Sequence, residues 1–340
     1  MATYNFTIRA TDNAGAYADR TFSLNVNNTI YDRFVAVGAS GLIRSPNGTS
    51  WTLESSLSGR NVVYGGGKWL VMDGMTLRTS PDGTTWTSYV PTITTNTTGT
   101  PNEITTLKYI NGAWIGFLYF GTTGNLDLIT STDGALTFSK VTTVATGFLI
   151  NDFDIDPAGT IIALNSNSTV LRRDGTTGVS TTISLPTNVI AQNTQGGTIR
   201  YYNGLWIVLP QGSAWIATSV DGINWVQRQL VGASIGLMYL NGRIITLRNA
   251  NSVSNIALPV CESTNAGRTW TAKVGASGPT PGISVYGRSP MAYFGGTLLA
   301  HNTGNTIFRS TDEGKTWTNS TPFTTGTGNF YAIAARDGIS

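Results

Sequence analysis

The chain has 340 residues, of which 40% are hydrophobic and only 11% are charged, and it contains 40 glycines. Its net charge of +3 is the balance of 21 basic and 18 acidic residues that are scattered along the chain, so no nucleic-acid-binding patch is predicted. A single cysteine, Cys261, excludes an intrachain disulfide, and the lack of a long apolar run predicts neither a signal peptide nor membrane insertion.

Residues 1–30 are predicted to form a β-hairpin. Apolar and polar residues alternate in two runs around a DNAG loop, Phe6-Ile8-Ala10 and Phe22-Leu24-Val26. The two runs resemble the closing hairpin of a bacterial or phage immunoglobulin-like domain. Because an isolated two-stranded hairpin is only marginally stable, the resemblance implies that the remainder of such a domain belongs to a longer protein or to a partner.

From residue 31 onward, one short polar phrase ending in an aromatic residue recurs. A seventh, eroded copy lies at 172–180, and the six readable copies are SPNGTSW from Ser45, SPDGTTW from Ser80, STDGALTF from Ser131, SVDGINW from Ser219, STNAGRTW from Ser263 and STDEGKTW from Ser310. Dividing the 310 residues of 31–340 by seven gives about 44 residues per unit, a length typical of one β-propeller blade.

Each unit is predicted to contain four antiparallel strands, A to D. Two apolar runs precede each phrase, and turn dipeptides such as Asn111-Gly112 and Asn203-Gly204 join them, with no amphipathic helical pattern between. The predicted fold is therefore all-β, a seven-bladed β-propeller over residues 31–340. The first unit begins at strand B, and the C-terminal run GNFYAIAARDG matches strand A, so the C-terminal strand is predicted to complete the first blade and close the ring.

The repeated phrase predicts a tight C–D turn, in which an Asp carboxylate accepts backbone N–H bonds and a glycine takes positive φ. The phrases resemble the Asp-box, or bacterial neuraminidase repeat. In that family the boxes are structural, which implies a structural role for Asn47, Asp82, Asp133, Asp174, Asp221, Asn265 and Asp312. Asp-box propellers include sialidases, xyloglucan hydrolases, sortilin-type receptors, photosystem assembly factors and phage tail proteins, so the resemblance implies a fold and not one function.

The sequence offers little for catalysis, cofactors or metals. Glycoside hydrolysis needs positioned carboxylates, whereas glutamate is scarce and the Phe/Tyr-Arg-Ile-Pro motif of sialidases is absent. The chain is therefore predicted not to be an enzyme and to use no cofactor. In the segment NDFDIDPAG, Asp152, Asp154 and Asp156 either bind Ca²⁺ or form a polar inner strand in which Asp156 caps the following turn. The missing Gly and Glu of a calcium loop favour the second interpretation, so no metal site is predicted.

Ligand-binding residues are predicted in the B–C and D–A loops, which vary between units, because variable loops on a rigid scaffold usually carry recognition. The loop candidates offer aromatic rings for stacking, an amide and a guanidinium: Tyr119, Phe120, Asn251, Tyr286 and Arg288. A further candidate is Trp215 on strand C, which has no aromatic counterpart in the other units. By contrast, Trp69, Trp114 and Trp206 recur just after the A–B turn and are predicted to pack between blades.

These features predict a non-catalytic structural or adhesion module of a phage tail or tail fibre, located in the virion after assembly in the host cytoplasm. Its predicted partner is a host-surface glycan or another virion protein, within a larger oligomeric assembly. Two alternatives stay open. One is a glycoside hydrolase, which inward-pointing carboxylates about 5–10 Å apart would favour. The other is a protein-binding propeller resembling the assembly factors, which a basic face would favour.

Overall fold

A computed structural model describes residues 2–26, 32–54, 57–146, 150–165, 169–189, 197–248, 260–272, 290–301, 306–322 and 330–336. Strands and turns make up all of the described secondary structure, which confirms the prediction of an all-β protein. No helix long and apolar enough to cross a membrane occurs in these ranges. The chain divides into two units, Met1–Tyr31 and Asp32–Ser340.

The first unit is a two-stranded antiparallel sheet of β1 (Ala2–Thr11) and β2 (Tyr17–Val26). Its register places Phe6 opposite Phe22, and the two rings stack with their centroids 5.6 Å apart. On the opposite face Arg9 forms an ion pair with Asp19 at 2.7 Å. The alternation seen in the sequence therefore separates an apolar face from a polar one.

The second unit contains the other described strands. In chain order they are β3 (Phe34–Gly38), β4 (Gly41–Ser45), β5 (Thr52–Glu54), β6 (Asn61–Gly65), β7 (Lys68–Asp73), β8 (Thr76–Ser80), β9 (Thr87–Tyr89), β10 (Thr92–Thr94), β11 (Pro101–Ile110), β12 (Ala113–Phe120), β13 (Asn125–Ser131), β14 (Thr137–Thr146), β15 (Ile150–Ile155), β16 (Ile161–Asn165), β17 (Thr169–Arg173), β18 (Ser180–Ser184), β19 (Gly197–Tyr202), β20 (Leu205–Pro210), β21 (Ser213–Ser219), β22 (Val226–Leu240), β23 (Arg243–Arg248), β24 (Val260–Ser263), β25 (Thr271–Ala272), β26 (Met291–Phe294), β27 (Thr297–His301), β28 (Ile307–Ser310), β29 (Thr318–Ser320) and β30 (Phe330–Ala335).

Most sheets of the second unit are four-stranded antiparallel meanders, with orders β6-β7-β8-β9, β15-β16-β17-β18 and β26-β27-β28-β29. In a fourth such sheet, β30-β3-β4-β5, the last strand of the chain pairs with the first strand of the unit. A five-stranded sheet has the order β10-β14-β13-β12-β11, where β10 adds in parallel to β14. In the seven-stranded sheet β19 to β25, the long strand β22 pairs first with β21 and then with β23.

Seven strands, here called the inner strands, contact one another in order. Five of these contacts join different sheets: β30 with β6, β6 with β11, β11 with β15, β15 with β19, and β26 with β30. The sixth, β19 with β22, lies within the seven-stranded sheet. Between β22 and β26, Met238 and Met291 belong to one buried apolar cluster. The apolar cores therefore lie between successive sheets, as expected when both faces of a sheet are covered.

The tryptophans that follow the first turn of a sheet are part of these cores. Trp69, Trp114 and Trp206 are all fully buried. Trp69 packs with residues of β3 and β4, and Trp114 packs with residues of β7 and β8, in each case the preceding sheet. The three tryptophans therefore pack between neighbouring sheets, as the sequence predicted.

Candidate functional site

The repeated phrase forms a turn closed by one side chain. In the copy around Asp221, Oδ1 accepts hydrogen bonds from the backbone N–H groups of Ile223 and Asn224, both at 2.8 Å, and from the Ser219 hydroxyl at 2.8 Å. The Trp225 indole N–H donates to the Gly222 carbonyl at 3.2 Å. A turn that would otherwise leave its N–H groups to solvent is thereby capped from within.

The other copies have the same construction. Asp82, Asp133, Asp174 and Asp312 each accept one or more backbone N–H bonds within their own turns, at 2.8 to 3.1 Å. At the two positions where asparagine replaces aspartate, the amide oxygen accepts instead, from Thr49 to Asn47 at 2.9 Å and from Thr269 to Asn265 at 2.9 Å. An amide oxygen and a carboxylate oxygen can therefore both cap this turn. Acid–base catalysis would need the carboxylate, because an amide does not exchange a proton in this way.

Hydrogen bonds also shift the acidity of these carboxylates. The Asn224 backbone N–H holds the pKa of Asp221 well below its usual range, although partial burial opposes the shift. The Thr177 backbone N–H, with Arg172 as a further partner, lowers the pKa of Asp174 to about 2. These carboxylates are therefore ionised at neutral pH and committed to their turns.

The same turns contact neighbouring sheets. A Cβ at Gly222 would lie 2.3 Å from Cδ1 of Ile162, which belongs to the preceding sheet. Two arginines cross similar boundaries: Arg172 donates to the Asp221 carbonyl at 3.2 Å, and Arg309 donates to the Asn47 carbonyl at 3.4 Å. The turns hold one sheet against the next in addition to closing their own hairpins.

The predicted loop candidates do not assemble into one exposed site in the described residues. Phe120 is fully buried in the core that also holds Trp114, so its ring is not available for stacking on a ligand. Its position at the end of an apolar strand, paired against β11, explains this burial. Tyr119 and Trp215 are half-buried against core clusters. Three further candidates lie outside the described residues: Asn251, Tyr286 and Arg288.

The acidic segment on β15 forms ion pairs within the protein. Asp152 is buried against Arg200 of the next inner strand, and Lys108 of the preceding one lies 3.2 Å from its Oδ1. Asp154 accepts a hydrogen bond from the Tyr201 backbone N–H at 2.8 Å, and its Oδ1 lies 3.7 Å from the Lys108 ammonium. This part of the chain therefore forms a charged cluster across β11, β15 and β19.

Asp156 stands apart from this cluster. Its Oδ1 accepts the Thr160 backbone N–H at 2.8 Å, which caps the turn after β15. Within the described ranges no group of three or more His, Cys, Asp or Glu residues could hold a metal ion. The arrangement corresponds to the polar inner strand with a turn-capping aspartate, the second of the two interpretations drawn from the sequence.

Aromatic residues recur at one position near the ends of the inner strands. The penultimate residue of an inner strand, just before its first turn, is tyrosine in five cases: Tyr64, Tyr109, Tyr201, Tyr239 and Tyr293. Tyr109 is exposed, at 39%, whereas the other four tyrosines are half-buried and pack against apolar clusters. The two exceptions at this position are Asp154 on β15 and Ala334 on β30.

These tyrosines contact the neighbouring inner strand. A Cβ at Gly66 would lie 3.1 Å from Cζ of Tyr109, so that ring covers the turn of the preceding sheet. Tyr239 stacks on Tyr202 of the inner strand β19 with ring centroids 4.9 Å apart, and the Tyr202 hydroxyl accepts the Tyr239 backbone N–H at 3.0 Å. Burial raises the pKa of Tyr202 to about 12, so its hydroxyl stays protonated at neutral pH.

Sequence reasoning did not select these tyrosines, although their signal is present. The segments VYGGG, YING, YYNG, YLNG and YFGG place a tyrosine two residues before each turn. Ligand-binding residues are instead predicted at the opposite ends of the strands, because the loops that vary between units are expected there. The clustering of Lys108, Asp152 and Arg200 had no comparable signal, because it depends on how separate sheets are placed side by side.

Comparison with known proteins extends the description of the fold. No family model matches the chain, and no curated protein matches it. Among solved structures, a periplasmic gluconolactonase of Pseudomonas aeruginosa is 9% identical, with a TM-score of 0.55 over 89% of this chain and 99% of the other. Virginiamycin B lyase of Staphylococcus aureus is 12% identical, with a TM-score of 0.53 over 99% and 98% of the two chains. A quinonprotein alcohol dehydrogenase-like protein of Bacteroides thetaiotaomicron is 10% identical, with a TM-score of 0.56 over 98% and 85%.

The comparisons show a β-propeller-like fold, and at such low identity they show the fold alone. They also overturn one prediction. The prediction that the chain is not an enzyme does not stand, because a gluconolactonase and a lyase are among the proteins with this fold, which therefore does not exclude catalysis. The scarcity of glutamate argued against only one mechanism, paired carboxylates, whereas the same scaffold supports other chemistry through different side chains.

Proposed function

We propose that the chain is a ligand-binding component of a phage tail or tail fibre that binds a host-surface glycan or another virion protein. One observation supports the ligand-binding part of this proposal above others. The described boxed side chains are used within their turns, whereas the inner-strand ends combine partly exposed aromatic rings with a charged cluster. Ligand sites typically combine aromatic surface with a few convergent polar groups in this way.

The scaffold of this proposal is a closed seven-bladed propeller of the Asp-box type. Four of the sheets supply one blade each, the five-stranded sheet supplies one, and the seven-stranded sheet supplies two that share β22. Pairing of β30 with β3 and contact of β26 with β30 support closure. In a closed ring, β30 covers the edge of β3 that would otherwise be unpaired. Such a ring is a rigid platform for the loops and strand ends that bind a ligand.

A glycoside hydrolase is the second candidate, and the charged cluster favours it. The side chain of Asp154 is 19% exposed and is held by Lys108, so a substrate at the inner-strand ends would meet a carboxylate there. Its neighbours Asp152 and Arg200 are more deeply buried. In this function Asp154 would assist cleavage by proton transfer or by stabilising positive charge on the sugar.

One experiment separates the two functions. The full chain is incubated with an array of bacterial surface glycans, and both retained protein and newly formed reducing ends are measured. Binding without cleavage supports the ligand-binding tail component, whereas cleavage that Asp154→Asn abolishes supports the hydrolase. Labelling of isolated virions with antibody against the chain then tests the tail location. Absence of glycan binding, of cleavage and of virion labelling would contradict the proposal.

A further inference from the structure

We infer that the penultimate tyrosines of the inner strands and the Lys108–Asp154 pair form a binding surface for a neutral oligosaccharide. This inference rests on the proposed function and deepens it, because it names the ligand class and the end of the strands that binds it. It differs from the expectation drawn from the sequence, which placed recognition in the loops at the opposite strand ends.

The aromatic part of the surface repeats from sheet to sheet. Five of the seven inner strands carry a tyrosine in the same position. Tyr109 is exposed, and the other four are half-buried against apolar clusters, which leaves part of each residue accessible. Neighbouring contacts hold the rings in place, as Tyr109 lies over the Gly65–Gly66 turn and Tyr239 stacks on Tyr202. Rings fixed before binding lose little conformational freedom when an apolar sugar face packs on them.

The polar part of the surface lies where the tyrosine series is interrupted. On β15 the penultimate residue is Asp154, and the Lys108 ammonium lies beside it with its side chain 21% exposed. A carboxylate accepts and an ammonium donates, so the pair can bind adjacent hydroxyl groups in both roles. A hydroxyl-rich ligand satisfies such a pair better than a hydrocarbon would, because polar groups left unpaired on binding carry a cost.

The charge of the cluster argues for a neutral ligand. Two cations, Lys108 and Arg200, lie among two carboxylates, Asp152 and Asp154. A strongly anionic or cationic ligand would have to approach a cluster whose charges already balance, and would gain little from it. Nucleic acid and acidic glycans are therefore poor fits, and a neutral sugar with many hydroxyls is the best one.

The test uses full-length protein and neutral oligosaccharides released from the polysaccharide that binds best on the glycan array. Affinity is measured by calorimetry for Tyr109→Ser, Tyr293→Ser and Lys108→Met, each with its melting temperature. Matched controls are Tyr119→Ser, a tyrosine at the other end of its strand, and Lys140→Met, a lysine on another strand of the sheet that holds Lys108. Because Tyr109 packs on Trp114, Tyr109→Phe is added to retain the ring.

The inference predicts that each serine variant and Lys108→Met weakens binding at least about tenfold, while the controls and Tyr109→Phe stay within about threefold of the parent. Unchanged affinity in Tyr109→Ser and Tyr293→Ser would overturn it. If Tyr119→Ser alone abolished binding, the inference would fail while the proposed glycan function stood. If the parent chain bound only anionic glycans, the inferred ligand class would be wrong. If it bound no glycan, both the inference and the glycan-binding part of the proposed function would be wrong.

Discussion

In each repeated turn, one Asp or Asn side chain accepts hydrogen bonds from the backbone N–H groups of the turn. Asp221 receives two backbone N–H groups and two side-chain donors, and Asn47 performs the same capping with an amide oxygen. The substitution of asparagine for aspartate is therefore informative. It shows that the turn needs an acceptor at this place and does not need a negative charge.

A change at Asp221 tests this role. Asp221→Ala removes the acceptor and should lower the free energy of unfolding by about 1–2 kcal/mol, the range seen when a capping side chain is lost. Asp221→Asn retains an acceptor, as in the natural Asn47 and Asn265 turns, and should therefore lower the free energy of unfolding less than Asp221→Ala does. Urea unfolding measures both. Equal destabilisation by the two substitutions would show that charge, and not the acceptor, matters.

The depressed acidity of the capping aspartates gives a pH dependence. Because the pKa of Asp221 is lower in the folded than in the unfolded chain, its contribution is complete above the unfolded value of about 4 and is lost as pH falls below it. Stability should therefore fall between about pH 4 and pH 2. Replacing Asp82, Asp133, Asp221 and Asp312 together by asparagine should flatten this fall in urea midpoints. An unchanged slope would place the acid sensitivity elsewhere.

At the scale of strands and turns, packing between sheets demands glycine in the capped turn. Gly222 has φ of +70°, and a Cβ there would also meet Ile162, whereas Gly204 has φ of +82° with open space around it. Gly204→Ala should cost about 1–2 kcal/mol for the left-handed backbone alone. Gly222→Ala should cost about 1–3 kcal/mol more, because the added methyl overpacks the sheet boundary. Equal losses in urea unfolding would contradict this account of the boundary.

The C-terminal strand offers a second test at this scale. Truncation after Gly328 removes β30, which pairs with β3 from Phe34 to Gly38, and uncovers the edge of a strand whose side chains are buried. The shortened protein should aggregate or melt well below the parent. Truncation after Arg336 retains β30 and is the matched control. If truncation after Gly328 left the melting temperature unchanged, the pairing of β30 with β3 would not stabilise the sheet β30-β3-β4-β5.

Much of the strand arrangement could be predicted from local signals. The Asn-Gly dipeptides have positive φ at Asn111, Asn203 and Asn241, as two-residue hairpin turns require, and the repeated phrase marks the last hairpin of each unit. Side-chain direction was less predictable at Phe120, because an apolar run such as AWIGFLYF does not reveal which residues face a core. The continuity of β22 across two pairings also had no local signal.

At the scale of the whole second unit, the candidate site arises from the contacts between sheets. Lys108, Asp154 and Arg200 are far apart in sequence, and only the neighbouring positions of β11, β15 and β19 bring them together. The sequence contained the tyrosine series but no means of placing it beside these charges. Of the two positions where the tyrosine series is interrupted, Asp154 on β15 brings a charge, whereas Ala334 on β30 does not.

The most direct test of the account is a crystal structure of the full chain soaked with the neutral oligosaccharide selected on the array. The account predicts seven blades in a closed ring, with β30 paired to β3. It also predicts a sugar ring packed on an inner-strand tyrosine, with hydroxyl groups bonded to Lys108 and Asp154. An open array of sheets, or sugar bound only at the loops near Tyr119, would contradict it.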